Sequence, residues 1–149
     1  MLLQDLLEAR GMAVRFIAGD LTVLDAIDLM TEGKTTALIV AQAGQPIGIF
    51  TERDIMRCHL NHRDKPISRV MVRQVMTNKL FIAESTEEIS KVMPIMLQMD
   101  IRHLPVAEDG RIVGIIPFRE LVQHHVSSLD AELQYLQDYI TDLQEAGRD

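Results

Sequence analysis

Apolar and polar positions along this chain change period several times, and the series of changes occurs twice. Residues 2–10 carry Leu2, Leu3, Leu6 and Leu7 at helical spacing, with Gly11 where a helix C-cap would stand. Phe16 to Ala18 is a short apolar run that predicts a strand, and Thr22 followed by Asp25 predicts the capped start of a helix. Two further strands, Ala37 to Val40 and Pro46 to Phe50, flank the turn Gln42-Ala43-Gly44-Gln45. Thr51 then reads as a helix N-cap, with Asp54 where a capping box has its acid, and a closing helix runs to about residue 60. Asn61 to Pro66 is polar and mixed in charge, as a linker is, and Ile67 to Thr77 alternates loosely between apolar and polar residues.

Slid along itself by 66 positions, the chain places Leu38 on Leu104, Val40 on Val106, Gly48 on Gly114, Ile49 on Ile115 and Arg53 on Arg119. A shift of 65 puts Phe16-Ile17-Ala18 on Phe81-Ile82-Ala83, so the second copy holds one extra residue near its first helix. That helix is expected to start at Ser85 with Glu88 as its acid. Pro94 inside it implies either a kink or a late start that puts the proline near the first turn. One supersecondary unit is used twice. The expected fold is α/β (α+β): two tandem β-α-β-β-α repeats, residues 1–63 with the N-terminal helix and 64–126, closing on each other with pseudo-two-fold symmetry.

After Val126 the texture changes. Leu129, Leu133, Leu136, Ile140 and Leu143 are spaced 4, 3, 4 and 3, with acids and amides between them. Residues 127–149 therefore form an amphipathic helix with a coiled-coil seam about two heptads long. Such a helix either folds back on its own domain or joins two chains, and Tyr135 and Tyr139 flank the stripe.

Composition narrows the partners. Apolar residues make up 47% of the 149, enough for a core, and nine Met supply volume where aromatics, at 4%, do not. Met30, Met71, Met76, Met93, Met96 and Met99 read as core packing. The net charge of −7 argues against a nucleic-acid surface, and no run has the length of a membrane span. The single cysteine, Cys58, fits a reducing compartment and a semi-buried structural thiol, so a cytoplasmic setting is expected. No phosphate-loop, nucleophile-elbow or paired-cysteine motif points to an enzyme, and His59 with His62 brings no third metal ligand.

The corner Gly48-Ile49-Phe50-Thr51-Glu52-Arg53-Asp54 offers a hydroxyl, free helix N-terminal amides and a carboxylate. That set either caps the helix or receives a phosphorylated, ribose-bearing ligand. The doubled unit resembles a CBS domain, and two in tandem resemble a CBS-domain pair (Bateman module) of the small stand-alone bacterial kind. The resemblance rests on Ala37 to Val40, Pro46 to Asp54, Val75-Met76-Thr77, and Arg102-His103-Leu104-Pro105-Val106 through Ile112 to Ile116, and covers roughly residues 1–126.

That resemblance implies an adenosine ligand, AMP, ADP, ATP, NAD(H) or S-adenosylmethionine, in a cleft between the repeats. Carried onto this chain, Asp54 would hold ribose hydroxyls and Thr51 ribose or phosphate. Ile17, Ala18, Thr35, Thr36 and Ala37 would flank adenine, and Arg102, His103 and Arg53 would meet phosphate. For Arg53 an ion pair with Asp54 or Glu52 stands as the alternative, and for His103 a place in the core. The second copy has Pro117 and Glu120 in place of Thr51 and Asp54, so one working site per chain is expected. The implied role is a regulatory module that passes nucleotide binding to a regulated protein, most simply as a homodimer. The other reading is a ligand-free dimeric scaffold.

Overall fold

The computed structural model describes residues 1–11 and 14–147. Helix α1 (Leu3–Arg10) is followed by the first repeat: β1 (Phe16–Ala18), α2 (Val23–Gly33), β2 (Ala37–Gln42), β3 (Gln45–Thr51) and α3 (Glu52–Asn61). A short helix, α4 (Val72–Val75), leads into the second: β4 (Ala83–Glu84), α5 (Ile89–Met99), β5 (His103–Glu108), β6 (Arg111–Pro117) and α6 (Phe118–Ala146). Each repeat builds one three-stranded sheet, ordered β1-β2-β3 and β4-β5-β6. The first pair in each is parallel across its helix and the second is an antiparallel hairpin. The hairpin turns fall on Ala43-Gly44 and Asp109-Gly110, with φ of 51° and 77°, and 52° and 77°. Positive φ at both central residues gives the turn twist that two-residue hairpins need, and glycine takes the second position without a Cβ clash.

Thr22 caps α2 as the spacing predicts: its hydroxyl accepts from the Asp25 N–H at 3.1 Å, and the Asp25 carboxylate accepts from the Thr22 N–H at 2.9 Å. The second repeat departs from its twin. Its first strand is only Ala83–Glu84, and α5 starts after Glu88 rather than at Ser85. Ser85 is buried and donates its hydroxyl to Glu108 at 3.3 Å, which removes it from capping. The late start is not late enough to put Pro94 in the first turn: it stands inside α5, on an exposed position.

The two leading segments cross over. Leu3, Leu6 and Leu7 of α1 are fully buried in the core of the second repeat, against Val92, Met96, Leu104 and Leu121. Val70 and Val72, at the entry to the second repeat, are buried in the core of the first, with Val23, Met30 and Phe50. The backbone repeats this exchange: the Val23 N–H donates to Val70 O at 2.8 Å, and the Ile89 N–H to Met1 O at 3.0 Å. An eight-residue helix is too short to persist alone. Burying three leucines, each worth about 1.5–3 kcal/mol as an upper estimate, is what holds α1 in place. A third cluster, Ala37, Ile39 and Ile49 with Ile115, joins the two sheets.

Helix α6 runs unbroken through the closing turn of the second repeat and the heptad stripe. It does not fold back: from Leu129 to Gly147 every residue is exposed. Cys58 is buried, as expected, whereas Met99, expected in the core, is 54% exposed. No helix among the described residues is long and apolar enough to cross a membrane.

Candidate functional site

The corner between β3 and α3 borders a cleft of about 560 Å³, within the range of small-molecule sites. Three segments wall it. Ile49, Thr51, Glu52, Arg53 and Arg57 come from the corner itself; Thr77, Lys79, Leu80 and Phe81 from the stretch entering the second repeat; and Met99 to His103, with Pro105, from the end of α5 and the start of β5. Leu80, Phe81, Ile49 and Ile101 give it an apolar floor. Four cationic side chains, Arg53, Arg57, Lys79 and Arg102, face two carboxylates, Glu52 and Asp100.

Gly48 allows the middle segment to approach. The Ile49 N–H donates to Thr77 O and the Thr77 N–H to Ile49 O, both at 2.9 Å, and a Cβ on Gly48 would lie 2.7 Å from that same Thr77 oxygen. Thr77 is thereby set over Asp54. Asp54 Oδ2 accepts the Thr51 N–H at 2.8 Å, and Oδ1 accepts the Thr77 hydroxyl at 3.0 Å, with Arg57 at 3.5 Å. Asp54 is 0% exposed. Burial pushes its carboxyl up from the usual value, against the bonds from Thr51 and Thr77 and the charge of Arg57, which pull it down.

Arg53 pairs with neither Glu52 nor Asp54. It reaches across the cleft to Asp100 with both terminal nitrogens, at 3.1 and 3.2 Å, and so bridges the two repeats. That bond, then the guanidinium charge, holds Asp100 below the usual carboxylate range. His103 Nε2 lies 2.8 Å from the Thr36 hydroxyl, a second bridge between repeats. Burial lowers the His103 pKa; Arg102 and Arg53 act the same way, and Glu52 opposes them.

Of the ten residues singled out on the sequence, Thr51, Arg53, Arg102 and His103 line this cleft. Asp54 sits behind its wall with both oxygens engaged. Ile17 and Ala18 lie in β1, paired to Val40 and Ala41, and Ala37 is buried at the junction of the two sheets. Thr35 turns its hydroxyl to the Ala37 carbonyl at 3.1 Å, and Thr36 touches the cleft only through His103. The sequence reading missed Thr77, Lys79, Leu80 and Phe81. Val75-Met76-Thr77 was visible as a family motif, but nothing local says that Thr77 bonds an acid 23 positions earlier.

The second corner is arranged differently. Pro117 occupies the N-cap position of α6. Glu120 is held by Arg10 of α1 through an ion pair and a hydrogen bond of 3.0 Å from Nη2, while Arg10 Nη1 donates to Ile115 O at 2.8 Å. No group of His, Cys, Asp and Glu able to hold a metal occurs among the described residues.

The CBS domain model matches residues 12–61 and 72–127, one match in each repeat. The chain is 32% identical over 126 residues to the mitochondrial CBS domain-containing protein CBSX3 of Arabidopsis thaliana, covering 81% of this chain and 59% of that one. It thus spans about three fifths of the length of that curated relative. Among solved structures it resembles the CBS domain NE2398, with a TM-score of 0.77, 30% identity and coverage of 84% and 98%. A more distant likeness in fold, at 19% identity and a TM-score of 0.73 over 86% and 98%, is to the CBS domain pair of protein MJ0100, solved with 5′-methylthioadenosine and S-adenosyl-L-methionine. CBS-domain pairs are generally regulatory modules. Matched over most of its length and in both of its repeats, the chain belongs to the CBS-domain family.

Proposed function

We propose that the chain is a regulatory module that senses an adenosine-containing nucleotide in the cleft at the Thr51 corner and passes that state to a partner protein in the cytoplasm. The observation that carries this reading is the charge of the cleft: in a protein of net charge −7, four cations against two carboxylates line one pocket with an apolar floor. Phosphates suit the cations, and a purine suits Leu80, Phe81 and Ile101. Thr51, Arg53, Arg102 and His103 are the contacts, and Asp54 sets Thr51 and Thr77 in position. The same charge favours AMP, ADP, ATP or NAD(H) over S-adenosylmethionine, whose sulfonium is cationic. A ligand bridging Arg53 and Arg102 competes with the Arg53–Asp100 pair, and only that difference in affinity between two states can act as a signal.

The competing reading, a ligand-free scaffold, draws on Asp54: both of its oxygens are satisfied by the chain itself. Calorimetric titration with AMP, ADP, ATP, NAD, NADH and S-adenosylmethionine separates the two. A phosphorylated nucleotide is expected to bind near one per chain, and Arg102→Ala to weaken it about tenfold, the effect of losing one charge-assisted contact. Arg119→Ala, at the matching position of Arg53 in the other repeat and away from the cleft, leaves it unchanged. Well-folded protein that binds none of the six is a scaffold.

A further inference from the structure

We propose that α6 joins two copies of this chain in a parallel, two-stranded coiled coil. The inference is independent of the ligand. Six residues on one face of α6 recur at 3 and 4: Val126, Leu129, Leu133, Leu136, Ile140 and Leu143. They are between 47% and 55% exposed, and nothing among the described residues covers them. An apolar stripe only two positions wide in seven is the seam of a coiled coil; a helix that packs on a globular surface presents a broader face.

The identity of the residues selects the occupant. Leu129, Leu136 and Leu143 stand at one seam position, and Val126, Leu133 and Ile140 at the other. β-branched Val126 and Ile140 at the first seam position, with Leu133 between them, and leucine throughout the second favour two parallel strands. In that register His125 lies beside the partner's Asp130, Glu132 beside the partner's Gln137 and Tyr139 beside the partner's Gln144, so no acid faces an acid. The remaining acids, Asp138, Asp142 and Glu145, keep to the outer face. No Lys or Arg occurs between residues 127 and 147, which removes the basic face that a lipid surface requires. Pairing covers roughly 1,000 Å² in all, the lower end for a specific interface. At about two and a half heptads the seam is short for an isolated coil, but this helix is already nucleated: Leu121, in its first turns, is fully buried in the second repeat.

The test is light scattering and sedimentation of the full chain. A dimer is expected, and Leu136→Asp with Ile140→Asp is expected to raise its dissociation constant about 100-fold or more while circular dichroism retains the fold of the repeats. In a Cys58→Ser background, Leu143→Cys cross-links its own copy on oxidation, whereas Asp138→Cys, on the outer face, does not. A monomeric wild-type chain overturns the proposal. So does a dimer that survives the double substitution, which must use another face, such as that of the exposed Met56 and Leu97. Failure of Leu143→Cys to cross-link, with Val126→Cys and Leu143→Cys joining each other instead, makes the pairing antiparallel and overturns the orientation.

Discussion

At the corner after β3, the acid Asp54 turns inward and is sealed by Thr51 and Thr77; at the matching corner after β6, Glu120 turns outward and is tied to Arg10. Both corners belong to the same strand-turn-helix unit. Each follows a glycine, and each glycine makes room for a segment belonging to the opposite leader. At Gly48 that segment is the backbone of Thr77, and at Gly114 it is the side chain of Leu7. A repeated sequence therefore sets two equivalent seats, and what sits in them decides their chemistry. A backbone partner leaves the first seat open to a cleft. A helix with an arginine at its end gives the second acid a partner from within the chain.

One methyl group added to each seat separates the two corners most. Gly48→Ala drives a Cβ to 2.7 Å from a carbonyl oxygen held in a two-way backbone pair, and is expected to cost about 2–3 kcal/mol. Gly114→Ala meets the terminal methyl of Leu7 at 2.6 Å, which can turn aside, so about 1 kcal/mol is expected. Urea denaturation of the two variants measures both. Equal losses would mean that Leu7 is as immovable as the backbone.

The acids come next. Asp54→Ala leaves the Thr51 N–H and the Thr77 hydroxyl without their acceptor, an expected loss of about 1–3 kcal/mol. Glu120→Ala removes a partly exposed ion pair and is expected to cost about 0–1 kcal/mol. Asp54→Asn retains an acceptor and removes a buried charge, so it should be far milder than Asp54→Ala; if the two lose equal stability, the hydrogen bonds are not what Asp54 provides.

The smallest effect is a slope with pH. The folded state holds the His103 pKa below its ordinary 6.5. As the pH falls below 6.5 the unfolded chain takes up a proton that the folded chain resists, so stability falls with pH in the window between 6.5 and the lowered value. Ala37, at the matching position of the first repeat, contributes no such slope. His103→Gln is expected to flatten the profile of midpoint against pH below 6.5. An unchanged profile would assign the slope to other groups.

Much of this architecture was legible because it is local. The hairpins follow from a glycine between two apolar runs, the start of α2 from Thr22 and Asp25 three apart, and the doubling from residues that coincide at a fixed shift. Ser85 misled for the same reason: it has the spacing of a cap, yet its hydroxyl is taken by Glu108, 23 positions away. The candidate site was legible at Thr51, Arg53, Arg102 and His103, which sit at element ends beside the cleft. It was not legible at Lys79, which stands in an irregular stretch with no period to read, or at Phe81, which the repeat places in a strand that begins only at Ala83.

The two units, the succession of their elements and turns, the cap at Thr22 and the stripe along α6 follow from the sequence, because spacing between neighbours in the chain sets backbone geometry. Tertiary structure alone decided that α1 packs into the second repeat, that Asp54 faces inward, that Arg53 spans the cleft to Asp100 and that the α6 stripe is left uncovered. Each of those depends on which surfaces meet across tens of residues, and burial and hydrogen-bond satisfaction are settled only when they do.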